Sequence, residues 1–520
     1  MKHGGQLFFL RVIQWVCGLG IWLGTAYLAP AQTPLPPAPP DSLRELSQER
    51  RPPALAPIVA PTDTLVRVGA CPGPRVRVGA VLFVGNNRTR ERTLRAELDF
   101  HEGDSLTVAD LPAHLEANRR RLYNLQLFHA VLVQASCGGT GELVILFSVQ
   151  ERWYILPTPI FSLAAPTFNA WLARPDHWRR LDYGLHLTDT NFRGRAEQLT
   201  VNIQLGFNRK YELFYEAPGF GRRRRVGVGF GISYYQSRNL DYTTQNDRPQ
   251  GLAEPQDDAF PIQRFYVSGG LRLRHTVQLS SAFDVSFHRE AISDLIYQLN
   301  SDYFLGQQQR QYLEASAITT NNQRNTFAYP LTGQFFQGSL TLRQFVGPSA
   351  APAYALARLR YARYLSLGHQ FYYAVGLATQ TRLLASRIAY ADSRSLGYDA
   401  LVRGYDGYLI DGRSYGLVQQ GLTWRAWAPP PLRIPFIKDP KVNTLPLAVY
   451  LNAFADAGLA GGSVGRPTPP SNELPGHLLA SVGLGLHLVT YYDKVFRFEL
   501  SRLLSGYPKY VFLLGTGFPI

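Results

Sequence analysis

The chain contains one methionine and three cysteines, and past about residue 30 it has no run of the ~20 apolar residues that a membrane-crossing helix needs. A bundle of transmembrane helices is therefore excluded. Its 11 histidines form no H-E-x-x-H pair and no paired ligand spacing, so a zinc hydrolase of that kind is excluded and no metal or other cofactor is expected. The basic excess, 53 Lys and Arg against 38 Asp and Glu, is spread through alternating segments instead of forming a patch, so nucleic acid is not an expected partner. The one basic run, Arg222 to Arg225, reads as a solvated charged turn. "GGSVG" at 461–465 matches G-x-S-x-G, but it lies in a Gly/Pro-rich loop and not between a strand and a helix. Ser463 is accordingly not a nucleophile, and no enzymatic activity is expected.

What is plentiful points to β-structure: 29 Tyr, 29 Phe and 46 Gly suit a large sheet protein with many turns. Residues 1–31 combine Lys2, His3 and Arg11 with the apolar run Val12 to Leu28 and end in Ala29-Pro30-Ala31, the pattern of a secretory signal peptide cut before Gln32. Cys17 leaves with it. The mature chain then keeps Cys71 and Cys137 in an oxidising compartment, where the pair reads as a disulfide and not as a metal site.

Residues 32–74 are a proline-rich linker around one charged piece, "DSLRELSQER". Residues 75–152 change character. "RVRVGAVLFVGN" alternates as a strand, "TRERTLRAELDF" and "TVADLPAHLEANRRRLYNL" have helical spacing, and "HAVLVQA" and "ELVILFSVQE" are strands again. Leu111, Leu115, Leu122 and Leu125 make an apolar stripe to cover the sheet of this small β-α-α-β-β domain.

From residue 158 to 520 the helical period disappears. Leu199, Val201, Ile203 and Leu205 alternate with Thr200, Asn202 and Gln204, and Phe496, Phe498 and Leu500 alternate with Arg497, Glu499 and Ser501. About sixteen such segments, mostly ten to fourteen residues long, predict a transmembrane antiparallel β-barrel. The long gaps 239–262, 291–310, 384–414 and 459–477 fall on one side and short turns such as 191–195 and 368–369 on the other, as in bacterial outer-membrane barrels; the inner connection 428–446 is the exception.

Several motifs carry a family resemblance. "VLFVGNNRTRERTLRAEL", "GDSL", "LYNLQLFHAVLV" and "LFSVQERWYILPTPIF" are similar to successive parts of a POTRA domain and its passage into a barrel. "DTNFRGRAEQL" resembles the first inner turn, "YELFYEAP" the fourth strand, "RNTFAYPLTG" a central inner turn, "VRGY" the sixth outer loop and "FADAG" the thirteenth strand. In this order they resemble the BamA/TamA superfamily of outer-membrane assembly and secretion barrels, the bacterial surface antigen family, over nearly all of residues 75–520.

The resemblance implies a sixteen-stranded barrel in the bacterial outer membrane, preceded by one POTRA domain in the periplasm. It implies that the loop bearing Val402, Arg403, Gly404 and Tyr405 folds back into the lumen, where Arg403 pairs with Asp456 of the F-x-D-x-G strand. A planar guanidinium can hold a carboxylate in a fork and stays charged there, while Gly404 and Gly407 let the loop tip turn sharply. It further implies a non-enzymatic insertion or translocation factor. Its partners would be outer-membrane lipid, unfolded outer-membrane or secreted clients, and periplasmic or lipoprotein proteins at the POTRA. "HAVLVQA" would be an exposed edge for β-augmentation. The first and last strands would form a lateral seam, loosened by Gly515, Gly517 and Pro519 in "GTGFP". The alternatives are a two-partner-secretion pore for one dedicated substrate and a passive porin-like barrel.

Overall fold

The computed structural model describes residues 66–520 apart from 70, 72, 139–140, 164–176, 221–223, 253–259, 348–352, 430–431, 434–443, 446, 463, 466–468, 491–493, 506–509 and 519. The expected signal peptide, most of the proline-rich linker, Arg222, Arg223, Ser463 and Pro519 lie outside the described residues.

The small domain is a mixed sheet of five strands: β1 (Val66–Val68), β2 (Arg75–Val84), β3 (Ser105–Thr107), β4 (Phe128–Cys137) and β5 (Leu143–Glu151), in the order β1-β4-β5-β2-β3. Helix α1 (Glu91–Arg95) is a single short turn, and α2 (Leu111–Asn124) has Pro112 in its first turn, where an N–H would have no helical partner. Alternation in the strands sends Val78, Val133, Ile145 and Phe147 to one face, where they form a single core with Leu111, Leu115 and Leu122 of α2.

Cys71, between β1 and β2, is bonded to Cys137 at the end of β4, with 5.2 Å between their Cα atoms. The bond keeps the chain ahead of β2 beside β4, where β1 runs parallel with Val66 opposite Val133 and Val68 opposite Ala135.

The large sheet has sixteen antiparallel strands, each paired with its neighbours in sequence order. They are β6 (Ile155–Leu163), β7 (Leu181–Phe192), β8 (Glu197–Gly206), β9 (Arg209–Phe220), β10 (Val226–Ser237), β13 (Ile262–Arg274), β14 (Leu279–Ile292), β15 (Gln309–Asn322), β16 (Gly333–Val346), β17 (Tyr354–Gly368), β18 (Phe371–Leu383), β19 (Ser414–Trp427), β22 (Ala448–Gly461), β23 (Leu478–Val489), β24 (Val495–Leu503) and β25 (Tyr510–Thr516). Two hairpins interrupt the series, β11–β12 (Asp241–Gln245 and Arg248–Gly251) and β20–β21 (Leu432–Arg433 and Thr444–Leu445). No described helix is long and apolar enough to cross a membrane, so the strands are the candidates for that role.

The alternation sorts the two faces by polarity. On β24, Phe496, Phe498 and Leu500 are exposed while Glu499 and Ser501 are fully buried; on β8, Ile203 is exposed and Asn202 buried. The buried face is held by charge pairs between strands. Arg272 reaches Glu216 at 2.5 Å and Asp284 at 2.8 Å, and Arg343 reaches Glu314 at 2.7 Å. Apolar groups outside and ionic pairs inside are what lipid around a polar lumen requires.

The turn between β2 and α1 docks on the first inner turn of the barrel. Arg88 pairs with Asp189 at 2.6 Å, Asn191 donates to Thr89 at 2.9 Å, and the Arg90 N–H donates to the Gly194 carbonyl at 2.9 Å. Gly194 has a left-handed backbone (φ +71°), and a Cβ there would lie 2.1 Å from the Arg88 carbonyl oxygen. Glu97 of the small domain adds an ion pair with Arg274 at the inner end of β13. The "DTNFRGR" stretch is thus a docking surface as well as a turn. Nearby, Arg224 corrects the reading of its run as a solvated turn: it is buried and donates to the Arg195 carbonyl at 2.6 Å, because its side chain packs on the same junction.

The disulfide joins residues 66 apart in sequence, which chain-entropy arguments convert to about 4 kcal/mol of domain stability. Full-length protein carrying Cys71→Ser and Cys137→Ser should lose hydrogen-exchange protection in β4 and β5 at lower urea than wild type. Equal protection in the two proteins would show that the bond contributes nothing to this domain.

Candidate functional site

The connection 384–413, between β18 and β19, carries two buried charges, Asp392 and Arg403. Arg403 is 2% exposed. Its Nε donates to Asp456 Oδ2 at 2.8 Å, its Nη2 to Asp456 Oδ1 at 2.6 Å, and its backbone N–H to Oδ2 at 3.1 Å. Nη1 lies 3.5 Å from Glu499 Oε1 on β24, so one guanidinium faces two carboxylates from different strands. Its carbon also sits 3.8 Å from the centre of the Phe454 ring, a desolvated cation–π contact.

Three residues of "FADAG" therefore have separate jobs. Phe454 covers the guanidinium, Asp456 forks it, and Gly458 leaves room for Val402, whose Cγ2 would be 2.6 Å from a Cβ at 458. In "VRGY", Gly404 is left-handed (φ +94°) and lies so close to β24 that a Cβ would sit 2.8 Å from the Ser501 Cβ. The Tyr405 hydroxyl reaches the Ser505 Oγ at 2.8 Å just beyond β24. Gly407 is also left-handed (φ +82°), with open space around it.

A second contact, not anticipated from the sequence, holds the same loop on another part of the wall. Asp392, in a 3₁₀ turn at Tyr390–Asp392, accepts from Arg310 at 2.7 and 3.1 Å and from Arg343 at 2.7 Å. Burial pushes the Asp392 carboxyl up, but the two guanidiniums outweigh it and hold the group well below the usual carboxylate range. Its signal in sequence was only that inward positions of β15 and β16 carry arginines. The loop thus spans the lumen with opposite charges at its two contacts, Asp392 on β15 and β16, Arg403 on β22 and β24.

The outer connections also clasp one another. At the β11–β12 turn, Asn246 and Asp247 are both left-handed, as a two-residue hairpin requires. The Asp247 carboxylate accepts the Glu473 N–H at 2.9 Å and the Leu474 N–H at 3.2 Å, and its carbonyl accepts the Leu409 N–H at 2.8 Å.

At the seam, the ladder runs from β25 round to β6 without joining them, and among the described residues no backbone hydrogen bond links the two. No described side chain of either strand is buried. Gly515 lies in β25, and Gly517 follows it with φ +78°. The first strand supplies a cause that sequence reading missed: Pro157 and Pro159 sit two apart in β6, whose ladder with β7 is continuous from Ile155 to Leu163. A proline fits a continuous ladder only where its missing N–H faces away from the partner. Positions 157 and 159 therefore present no donor toward β25.

The expected augmentation edge needs a correction. Part of "HAVLVQA" is already taken, since β1 pairs with Val133 to Ala135, because the disulfide holds the preceding chain alongside β4.

A lipid-facing antiparallel barrel with an arginine loop folded into its lumen, preceded by a small domain of two helices and a mixed five-stranded sheet, defines an outer-membrane barrel of the assembly and secretion type. The chain belongs to the Omp85 superfamily, whose domain matches residues 191–490; the surface antigen variable number repeat, a POTRA domain, matches residues 76–152. Proteins of this superfamily are outer-membrane barrels with periplasmic POTRA domains that insert or secrete other proteins. Among solved structures, the chain is similar to BamA from Haemophilus ducreyi lacking POTRA domains 1–3, at 16% identity over 85% of this chain and 84% of that one, with a TM-score of 0.48. It is also similar to CdiB from Escherichia coli (13% identity, 85% and 75% of the two chains, TM-score 0.49) and to CdiB from Acinetobacter baumannii (16%, 85% and 73%, TM-score 0.43). No curated protein matches it.

Removing one member of a buried ion pair leaves an unpaired charge, at a cost on the order of 3–5 kcal/mol. Arg403→Ala should make 384–413 sensitive to protease added from outside whole cells, while the barrel stays folded on a heat-modifiability gel. Asp456→Ala should do the same, and the double substitution should add little because the two act as one unit. Independent, additive effects would mean that the loop is held chiefly elsewhere.

Proposed function

We propose that this chain inserts or exports other proteins at the bacterial outer membrane, with the POTRA domain in the periplasm and clients admitted at the seam between β6 and β25. The observation that carries the reading is the unpaired seam. Backbone groups facing lipid without partners are costly, by several kcal/mol each, so an edge that the barrel's own last strand does not seal is satisfied by another strand. The lumen is an unfavourable route by comparison, because the loop crosses it between two buried ion-pair sets. That same filling argues against a passive porin.

The connections support this sidedness. The turns at 193–196 and 369–370 are short and lie on the POTRA side, where the long connection 428–447 is the exception, while 238–261, 384–413 and 462–477 are long and lie opposite, as outer loops of a bacterial barrel do. Extended client segments would reach the POTRA by pairing with the part of β4 that precedes Val133.

A set of cysteine pairs placed along β6 and β25 tests this. In liposomes, oxidative locking of the seam should abolish insertion of an unfolded outer-membrane barrel, and reductant should restore it. Full activity in the locked protein would overturn the seam route, and substrate export through a locked seam with raised conductance would favour a dedicated secretion pore.

A further inference from the structure

Glu499 is more than the second acid facing Arg403. Its Oε1 lies 3.3 Å from Nε2 of His487 on β23, a side chain with no exposed surface. The other ring nitrogen, Nδ1, is 2.9 Å from the hydroxyl of Tyr329. A neutral imidazole has one donor and one acceptor, and here each nitrogen has a partner of suitable kind. Tyr329 belongs to the inner connection 323–332, at the opposite end of the barrel from the loop that carries Arg403.

The Tyr329 ring stacks on Tyr450 at 4.4 Å and meets the Phe518 ring edge-on at 4.7 Å. Phe518 follows Gly517, whose N–H makes a 3.0 Å bond to the Val495 carbonyl and whose left-handed backbone turns the segment inward. Beyond it, the Ile520 carbonyl accepts the Tyr364 hydroxyl at 2.8 Å, and Gly376 lacks the Cβ that would lie 2.6 Å from Ile520 Cγ2. Tyr364 and Gly376 belong to β17 and β18, far round the wall from β25. The segment after the last strand is thus seated across the lumen, drawing the inner end of β25 away from β6.

We propose that Tyr329 is a positioning residue that couples the two ends: through His487 and Glu499 it senses the seating of Arg403, and through Phe518 it sets the seating of the segment after β25, hence the width of the seam. The inference rests on the seam being the working part of the barrel. The route is contiguous, and buried as far as Tyr329: Arg403, Glu499, His487, Tyr329 and then the partly buried Phe518. Both ends are elements that can be seated or released, which is what coupling through side chains requires. Tyr329 makes two separable contacts, a hydroxyl toward the loop anchor and a ring face and edge toward Tyr450 and Phe518. The relay therefore passes through the hydroxyl, and the packing alone does not depend on it.

That separation gives the test. Tyr329→Phe keeps the ring contacts and removes only the bond to His487. In full-length protein in liposomes without client, cysteines replacing Ile155 and Thr516 report how fast the inner ends of β6 and β25 crosslink. Tyr329→Phe should raise that rate about five-fold, the effect of one net hydrogen bond, with the barrel still folded on a heat-modifiability gel. His487→Leu and Arg403→Ala should raise it likewise, and Tyr329→Phe should add little to Arg403→Ala. Phe518→Ala, which releases the segment directly, should be at least as fast. A wild-type rate in Tyr329→Phe, or rate changes that multiply in the double variant, overturns the proposal. Because no client is present, that failure leaves the insertion reading standing, and normal coupling in a protein that inserts nothing would sink only the insertion reading.

Discussion

Everything inside this barrel follows from the difficulty of placing a guanidinium where little water reaches it. Arg403 is stable in the lumen only because Asp456 and Glu499 meet it from two strands and Phe454 covers it. Once those groups are committed, the loop must enter the barrel, Gly458 must be small and Gly404 must turn left-handed against β24. A barrel with lipid outside cannot use an apolar interior as a soluble protein does, so its inner cohesion is ionic. Arg272 with Glu216 and Asp284, Arg343 with Glu314, and Arg310 with Asp392 are built on the same rule.

The architecture was legible because the solvent imposes it. Lipid on one face and polar groups on the other force a strict two-residue alternation, and the strand lengths and the long and short connections could be read along the chain. "FADAG" falls on the thirteenth barrel strand and "VRGY" between the eleventh and twelfth, as the motif order implies. The interior contacts were much less legible. Asp392, Glu499 and His487 look like any other inward polar residues, because which of them meet across a lumen depends on strand stagger and loop path. Arg224 sat in an unremarkable basic run and proves buried at the junction with the small domain. Strand β1 escaped notice because three residues at the end of a proline-rich stretch carry no period. Pro157 and Pro159 stood in plain view inside a quoted motif; their signal was the spacing of two, which puts both missing donors on one edge.

Those two prolines also bear on how a client would leave. A strand paired to β6 can donate to the carbonyls of Pro157 and Pro159, but its own carbonyls opposite them find no N–H. In hydrocarbon such orphaned acceptors are expensive. On the proposed seam route a newly formed barrel, whose own last strand offers every missing donor, would outcompete β6 for its first strand. The pair of prolines would then act on turnover: it would make β6 a poor final partner, so that the product closes on itself and departs.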